Sequence, residues 1–205
     1  ERMYKLLGNP KTRAGRVMWM LEELGVDYDI NPCGPHDPAV AAVNPTGKIP
    51  ALIDGDTVIN DSTAILLHLG DKHQKLTYPL GSPERAQMMS VIFFATDAIE
   101  QPLWTFAKHS FVYPENVRVL DAVRPALRHE FGQAMTALDK MLGEQEFIMG
   151  DDFSTADIIL GHLGGWAKGS GFGADEGRVG EYMSRVRSRP AWKAVLKVAA
   201  TKSKD

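Results

Sequence analysis

The sequence predicts two parts, a small α/β unit followed by an all-helical one. Two observations carry this. Over residues 4–73 short apolar runs alternate with helical patterns, and from Ser82 onward no convincing strand is found. Residues 4–7 read as a strand, followed by a loop at Gly8-Asn9-Pro10-Lys11. Ala14, Val17, Met18 and Leu21 recur at i, i+3, i+4 and i+7, which aligns them on one helix face, and Gly25 supplies the stop. Residues 28–30 form a second strand, and after a loop rich in proline and glycine residues 39–43 form a short helix. Residues 51–53, a turn at Asp54-Gly55 and residues 57–59 read as a hairpin. Asn60-Asp61-Ser62-Thr63 offers capping side chains ahead of an apolar helical run at 64–69. The order is therefore β-α-β-α-β-β-α.

Helical spacing then covers 84–111, 115–142, 155–168 and 178–200. Phe153-Ser154-Thr155-Ala156-Asp157-Ile158 has the form of a capping box, with Phe153 and Ile158 placed for a hydrophobic staple. The expected division is a first domain at 1–78, a linker at 79–85 and a helical domain at 86–205.

Composition narrows the function. The chain of 205 residues is 44% apolar and 24% charged, ordinary for a globular protein. No run approaches the ~18 apolar residues of a membrane span, and residues 1–20 lack the apolar block of a signal peptide. A net charge of −3 argues against nucleic-acid binding. Residues 185–205 hold seven Lys/Arg against one acid, but no aromatic platform is interleaved, so they read as a solvated helix face. The single cysteine, Cys33, excludes an internal disulfide framework and a cysteine-rich zinc site, and fits a reducing, cytoplasmic location. Cys33 itself reads as an incidental loop thiol. The six histidines form no metal-binding spacing, so no metal is expected.

Four segments stand in a telling order: Arg16-Val17-Met18-Trp19-Met20-Leu21-Glu22-Glu23-Leu24-Gly25, Asn44-Pro45-Thr46-Gly47-Lys48-Ile49-Pro50-Ala51-Leu52, Asp61-Ser62-Thr63-Ala64-Ile65, and Phe153-Ser154-Thr155-Ala156-Asp157. Together they make the chain resemble a cytosolic glutathione S-transferase, of bacterial type with a serine/threonine-like active site, over nearly its whole length. The resemblance implies a thioredoxin-like N-terminal domain plus an all-α helix-bundle domain. It also implies glutathione as co-substrate, a hydrophobic electrophile as acceptor, a role in detoxification and a homodimer. In such dimers the α/β module of one chain lies against the helices of the other.

Glutathione has carboxylates at both ends and a central thiol. Asp61 and Ser62, at a helix start, suit the γ-glutamyl end: free N–H groups and the hydroxyl donate to its carboxylate, while Asp61 accepts from its ammonium. Their alternative role is simple capping. The resemblance implies a cis Ile49-Pro50 bond, with the Ile49 main chain pairing with the cysteinyl backbone like an added strand. Lys48, with Lys11, Arg13 and Arg16, supplies a basic rim for the glycine carboxylate.

Thiol activation is less marked. The position of the family's tyrosine falls on Gly8 and that of its serine or cysteine on Lys11, leaving Thr12 as the catalytic candidate. The same residue equally suits the helix N-cap, and Arg13 or the Lys11 main chain are the other options. Trp104, Phe106 and Trp166 are candidates for the electrophile pocket. Rival readings keep the fold but change the reaction, to peroxide reduction, dehalogenation, ether cleavage or isomerisation, or reduce it to non-catalytic binding and regulation.

Overall fold

The computed structural model describes residues 4–201. They fall into two units: one holds the chain up to Pro79 together with the stretch from Arg187 onward, the other Leu80–Val186.

The first unit is built on a sheet of order β2-β1-β3-β4, from β1 (Tyr4–Leu7), β2 (Tyr28–Asn31), β3 (Ala51–Asp54) and β4 (Thr57–Asn60). β2 runs parallel to β1, and β3 antiparallel to both β1 and β4. Strand alternation sorts the side chains onto two faces. Leu7 and Ala51 join Val40 of α2 (Pro38–Ala41) and Cys33 in one apolar cluster, edged by Ile49 and Ile53. Leu6 and Leu52, a cross-strand pair with no exposed surface, point to the opposite face. α1 (Ala14–Leu24) and α3 (Ser62–His73) pack together there. Gly25 ends α1 in the left-handed conformation at φ 67°, as the sequence requires. The hairpin turn is Gly55-Asp56, one residue later than expected.

The tail departs from expectation. Residues 178–200 form two helices, α8 (Gly177–Arg187) and α9 (Pro190–Thr201). Pro190 has no N–H to give and disfavours a helical residue before it, so the helix restarts there. α9 then belongs to the first unit, not to the helical domain expected at 86–205. The Trp192 ring lies 4.8 Å from Trp19 of α1, and Arg189 donates to both carboxylate oxygens of Glu23 at 2.6 and 2.8 Å. The expected linker at 79–85 is also shorter. Ser82 accepts from the Arg85 N–H as N-cap, and α4 (Pro83–Phe94) begins at the proline.

In the second unit the predicted 84–111 helix is interrupted by π turns at Ala95–Ile99 and Lys108–Val112, which flank α5 (Glu100–Ala107). Pro102, just after the first, has no N–H for the carbonyl of Ala98. α6 (Leu120–Leu142) and α7 (Thr155–Gly169) follow. No helix among the described residues is long and apolar enough to cross a membrane.

The capping box at Ser154 is present, and it does more than start α7. The carboxylate of Asp157 has no exposed surface. It accepts from the Ser154 N–H at 2.8 Å and hydroxyl at 2.9 Å, from the Ile148 N–H at 2.9 Å and from the buried Tyr182 hydroxyl at 2.6 Å. One side chain thus ties the 148 loop, the α7 start and α8 together. Phe153, expected to staple Ile158, has its ring 5.5 Å from Phe147. Asp157→Ala leaves several buried donors unpaired, and is expected to lower unfolding stability by about 3 kcal/mol, with Tyr182→Phe costing about 1 kcal/mol. Urea denaturation measures both; an Asp157→Ala loss no larger than that of Tyr182→Phe would remove the carboxylate from its tying role.

Candidate functional site

Sheet register gathers the site. Leu7 pairs with Ala51, and Ala51 with Asn60. The next residues outward are Gly8, Pro50 and Asp61, so three strand ends converge at one edge of the sheet. The Ile49-Pro50 peptide is cis. An ideal Cβ on Gly8 would lie 2.7 Å from the Ala14 Cβ and 3.5 and 3.6 Å from Ile49 and Pro50. No side chain fits at position 8. The start of α1 and the Ile49-Pro50 corner therefore close directly onto the end of β1. Ile49 is half-buried, and its main-chain N–H and C=O have no partner among the described residues.

Asn9 organises the loop between β1 and α1. Its side chain accepts from the Lys11 N–H at 2.9 Å, and its carbonyl from the Thr12 N–H at 2.9 Å and hydroxyl at 2.7 Å. The Thr12 oxygen in turn accepts from the Ala14 N–H at 3.3 Å. Thr12 thus plays a local capping part, with both its donors directed at Asn9. A second loop is set by Asn44, which donates to the Lys48 carbonyl at 2.8 Å and accepts from the Thr46 N–H and hydroxyl. Gly47, at φ 66°, lets the His36 ring lie against the main chain: a Cβ there would meet the ring nitrogen at 2.3 Å. Lys48 is exposed.

At the start of α3, Asp61 adopts φ 73°, a conformation that L residues rarely hold without compensation. Its carboxylate accepts from the N–H groups of Thr63 at 2.8 Å and Ala64 at 3.3 Å. Ser62 is buried. Its hydroxyl accepts from Arg16 at 3.4 Å, and its own proton has no acceptor among the described residues. Arg16 corrects an expectation: it has no exposed surface and lies against Ser62 instead of on a basic rim. A guanidinium there adds positive potential at a helix N-terminus that already favours an anion.

The proposed acceptor residues all lie in the second unit and are half-buried. Phe106 meets Phe172 edge to face at 5.2 Å, and Trp166 lies 6.5 Å from His162. A groove of about 420 Å³ in the same unit is lined by Phe94, Ala98, Pro102, Ala134 and Ala137, with Asp97, Glu130 and Gln133; it includes none of Trp104, Phe106 and Trp166. Cys33 is part of the core. Burial pushes its thiol up, with Asp37 adding to this and the Gly8 main chain opposing it. Among the described residues no group of three or more His, Cys, Asp or Glu is placed to hold a metal ion.

Sequence reasoning missed the roles of Asn9, His36 and Arg16. Asn9 carried a usable signal, since an Asn ahead of a helix commonly organises a turn. A buried arginine within a helical pattern carries none. Gly8→Ala is expected to destabilise the protein by about 2 kcal/mol through overpacking against Ala14. Urea unfolding of the variant checks this, and an unchanged midpoint would mean that the strand end is looser than described.

The family model for the glutathione S-transferase N-terminal domain matches residues 13–72. A glutathione S-transferase from Triticum aestivum is 48% identical over 149 residues, covering 71% of this chain and 68% of that protein. Glutathione S-transferase Z2 from Arabidopsis thaliana is 31% identical over 157 residues, covering 72% and 68%. Among solved structures, a glutathione transferase family member from Pseudomonas fluorescens with two glutathione bound has a TM-score of 0.83 at 24% identity, covering 95% of this chain and 92% of that one. The fold is shared, and the first unit is its thioredoxin-like domain. Likeness at this level, carried over about two thirds of each relative, means that this chain belongs to the glutathione S-transferase family.

Proposed function

We propose that the chain is a glutathione transferase. It binds glutathione at the convergent strand ends of the first unit and joins a hydrophobic electrophile to the glutathione sulfur. The observation that carries this is the placement of Pro50 beside Asp61, with the α1 and α3 N-termini at the same edge. The main chain of Ile49 supplies the strand-like pairing for the cysteinyl residue. The Ser62 hydroxyl donates to the γ-glutamyl carboxylate over the buried Arg16, Asp61 accepts from the ammonium, and Lys48 meets the glycine carboxylate. The structure of the Pseudomonas fluorescens relative, which has glutathione bound, supports the ligand class.

A cysteine thiol has a pKa near ~8.5, and lowering it by two units takes about 2.7 kcal/mol of thiolate stabilisation. The α1 N-terminus and the Thr12 hydroxyl are the groups for this task. The thiol proton leaves to solvent. The sulfur lone pair then forms the C–S bond, and the leaving group departs with its bonding electrons. Trp104, Phe106 and Trp166 are the candidate apolar contacts of the electrophile. A homodimer in the cytoplasm completes the reading, on family resemblance and the single cysteine.

A second reading, binding without strong thiol activation, draws on one observation: the Thr12 hydroxyl is already directed at the Asn9 carbonyl at 2.7 Å. Donation to sulfur requires it to turn away. Thr12→Ala is expected to cut turnover of 1-chloro-2,4-dinitrobenzene tenfold or more, about 1.4 kcal/mol, with glutathione affinity unchanged in calorimetry. Unchanged turnover would assign activation to the main chain of the α1 start; no turnover by the parent protein would favour binding alone. Ser62→Ala is expected to weaken glutathione binding about tenfold. Equal affinity in the two proteins would remove Ser62 from the site.

A further inference from the structure

We propose that Arg124 and Arg128, with Phe106 and Phe172, form a subsite for the carboxylate of a planar aromatic acid. The proposal deepens the transferase reading, on which it rests only for treating the acid as an acceptor substrate.

The two arginines stand one turn apart on α6, a spacing that puts side chains on one face of the helix. Both guanidinium groups lie over aromatic rings, Arg128 5.0 Å from the centre of Phe172 and Arg124 5.8 Å from that of Phe106. Phe172 is held in place. It meets Phe106 and Phe131 edge to face, each at 5.2 Å, and Arg128 donates to the neighbouring Gly171 carbonyl at 3.0 Å.

The cations are poorly neutralised. Arg128 has no carboxylate partner among the described residues. Among the described residues the one carboxylate that Arg124 reaches is Asp121, through Nη2 at 3.4 Å, and that aspartate is fully exposed. The Arg124 Nε is buried with no hydrogen-bond partner among the described residues. A buried donor without an acceptor is costly, and native structures seldom leave one without a reason.

The identity of the unpaired atom selects the ligand. Nε and Nη2 form the edge of a guanidinium that a carboxylate bridges with two parallel hydrogen bonds. The Arg124 side chain is 43% exposed, so its end has room to turn that edge outward. Asp121 offsets part of the charge, leaving a site suited to a monoanion. The ring edges of Phe106 and Phe172 and the flat faces of the guanidinium groups suit a planar apolar body.

The test compares 2-naphthoate with its neutral isostere 2-naphthamide by calorimetry on the whole protein at low ionic strength. The acid is expected to bind at least tenfold tighter than the amide. In the Arg124→Gln/Arg128→Gln double variant the preference is expected to vanish while glutathione affinity stays unchanged; Arg124→Lys/Arg128→Lys, which keeps the charge, retains part of it. Equal affinity of acid and amide for the parent protein, no binding of either, or a preference that survives the glutamine pair would each overturn the subsite. Glutathione titrated alone separates the two ideas. Naphthoate preference without glutathione binding would keep the subsite and sink the transferase reading, and the reverse result would do the opposite.

Discussion

In a tight hairpin the last paired residues decide which neighbours stand side by side, and in the first unit the pairing of Ala51 with Asn60 brings Pro50 next to Asp61. Everything proposed for the site depends on that register. A slip by one residue would turn Leu52 and Ile59 to the opposite face and separate the two anchors. The register is in turn fixed from both sides of the sheet, because Leu6 and Leu52 must meet the α1/α3 layer while Leu7 and Ala51 meet α2. The apolar core thus sets the position of polar groups that it never touches.

Charge follows the same geometry. α1 and α3 both begin at this edge, so the positive ends of two helix dipoles lie there. Arg16, buried completely, adds a full charge beneath Ser62. Removing a guanidinium from water is expensive unless hydrogen bonds compensate it.

The strands and most helices were legible because each shows an undisturbed period: two at 51–53 and 57–59, and 3.6 across Ala14, Val17, Met18 and Leu21. What escaped was non-periodic. The π turns around α5 still read as helix, and the stop at Pro190 was hidden inside a continuous amphipathic pattern. The docking of α9 rests on Trp19, Glu23, Arg189 and Trp192, residues whose partners lie far away in the chain. In the site, Asp61 and Ser62 were readable as a helix start, whereas the cis bond before Pro50 came from resemblance and not from local chemistry. Thr12 shows why activation is hardest to read. A hydroxyl that caps a helix and one that polarises a thiol are the same group in the same place, and only its partners tell them apart.

The docking of α9 on α1 also means that the second unit is an insertion within the first. During synthesis on a ribosome, residues 4–79 emerge early, yet the helix that covers Trp19 follows only after more than a hundred further residues. The nascent α/β layer must therefore wait with part of one helix uncovered while the whole helical insert is made. Its completion is timed by the translation of α9, and any event that halts elongation before it leaves the seam on α1 open.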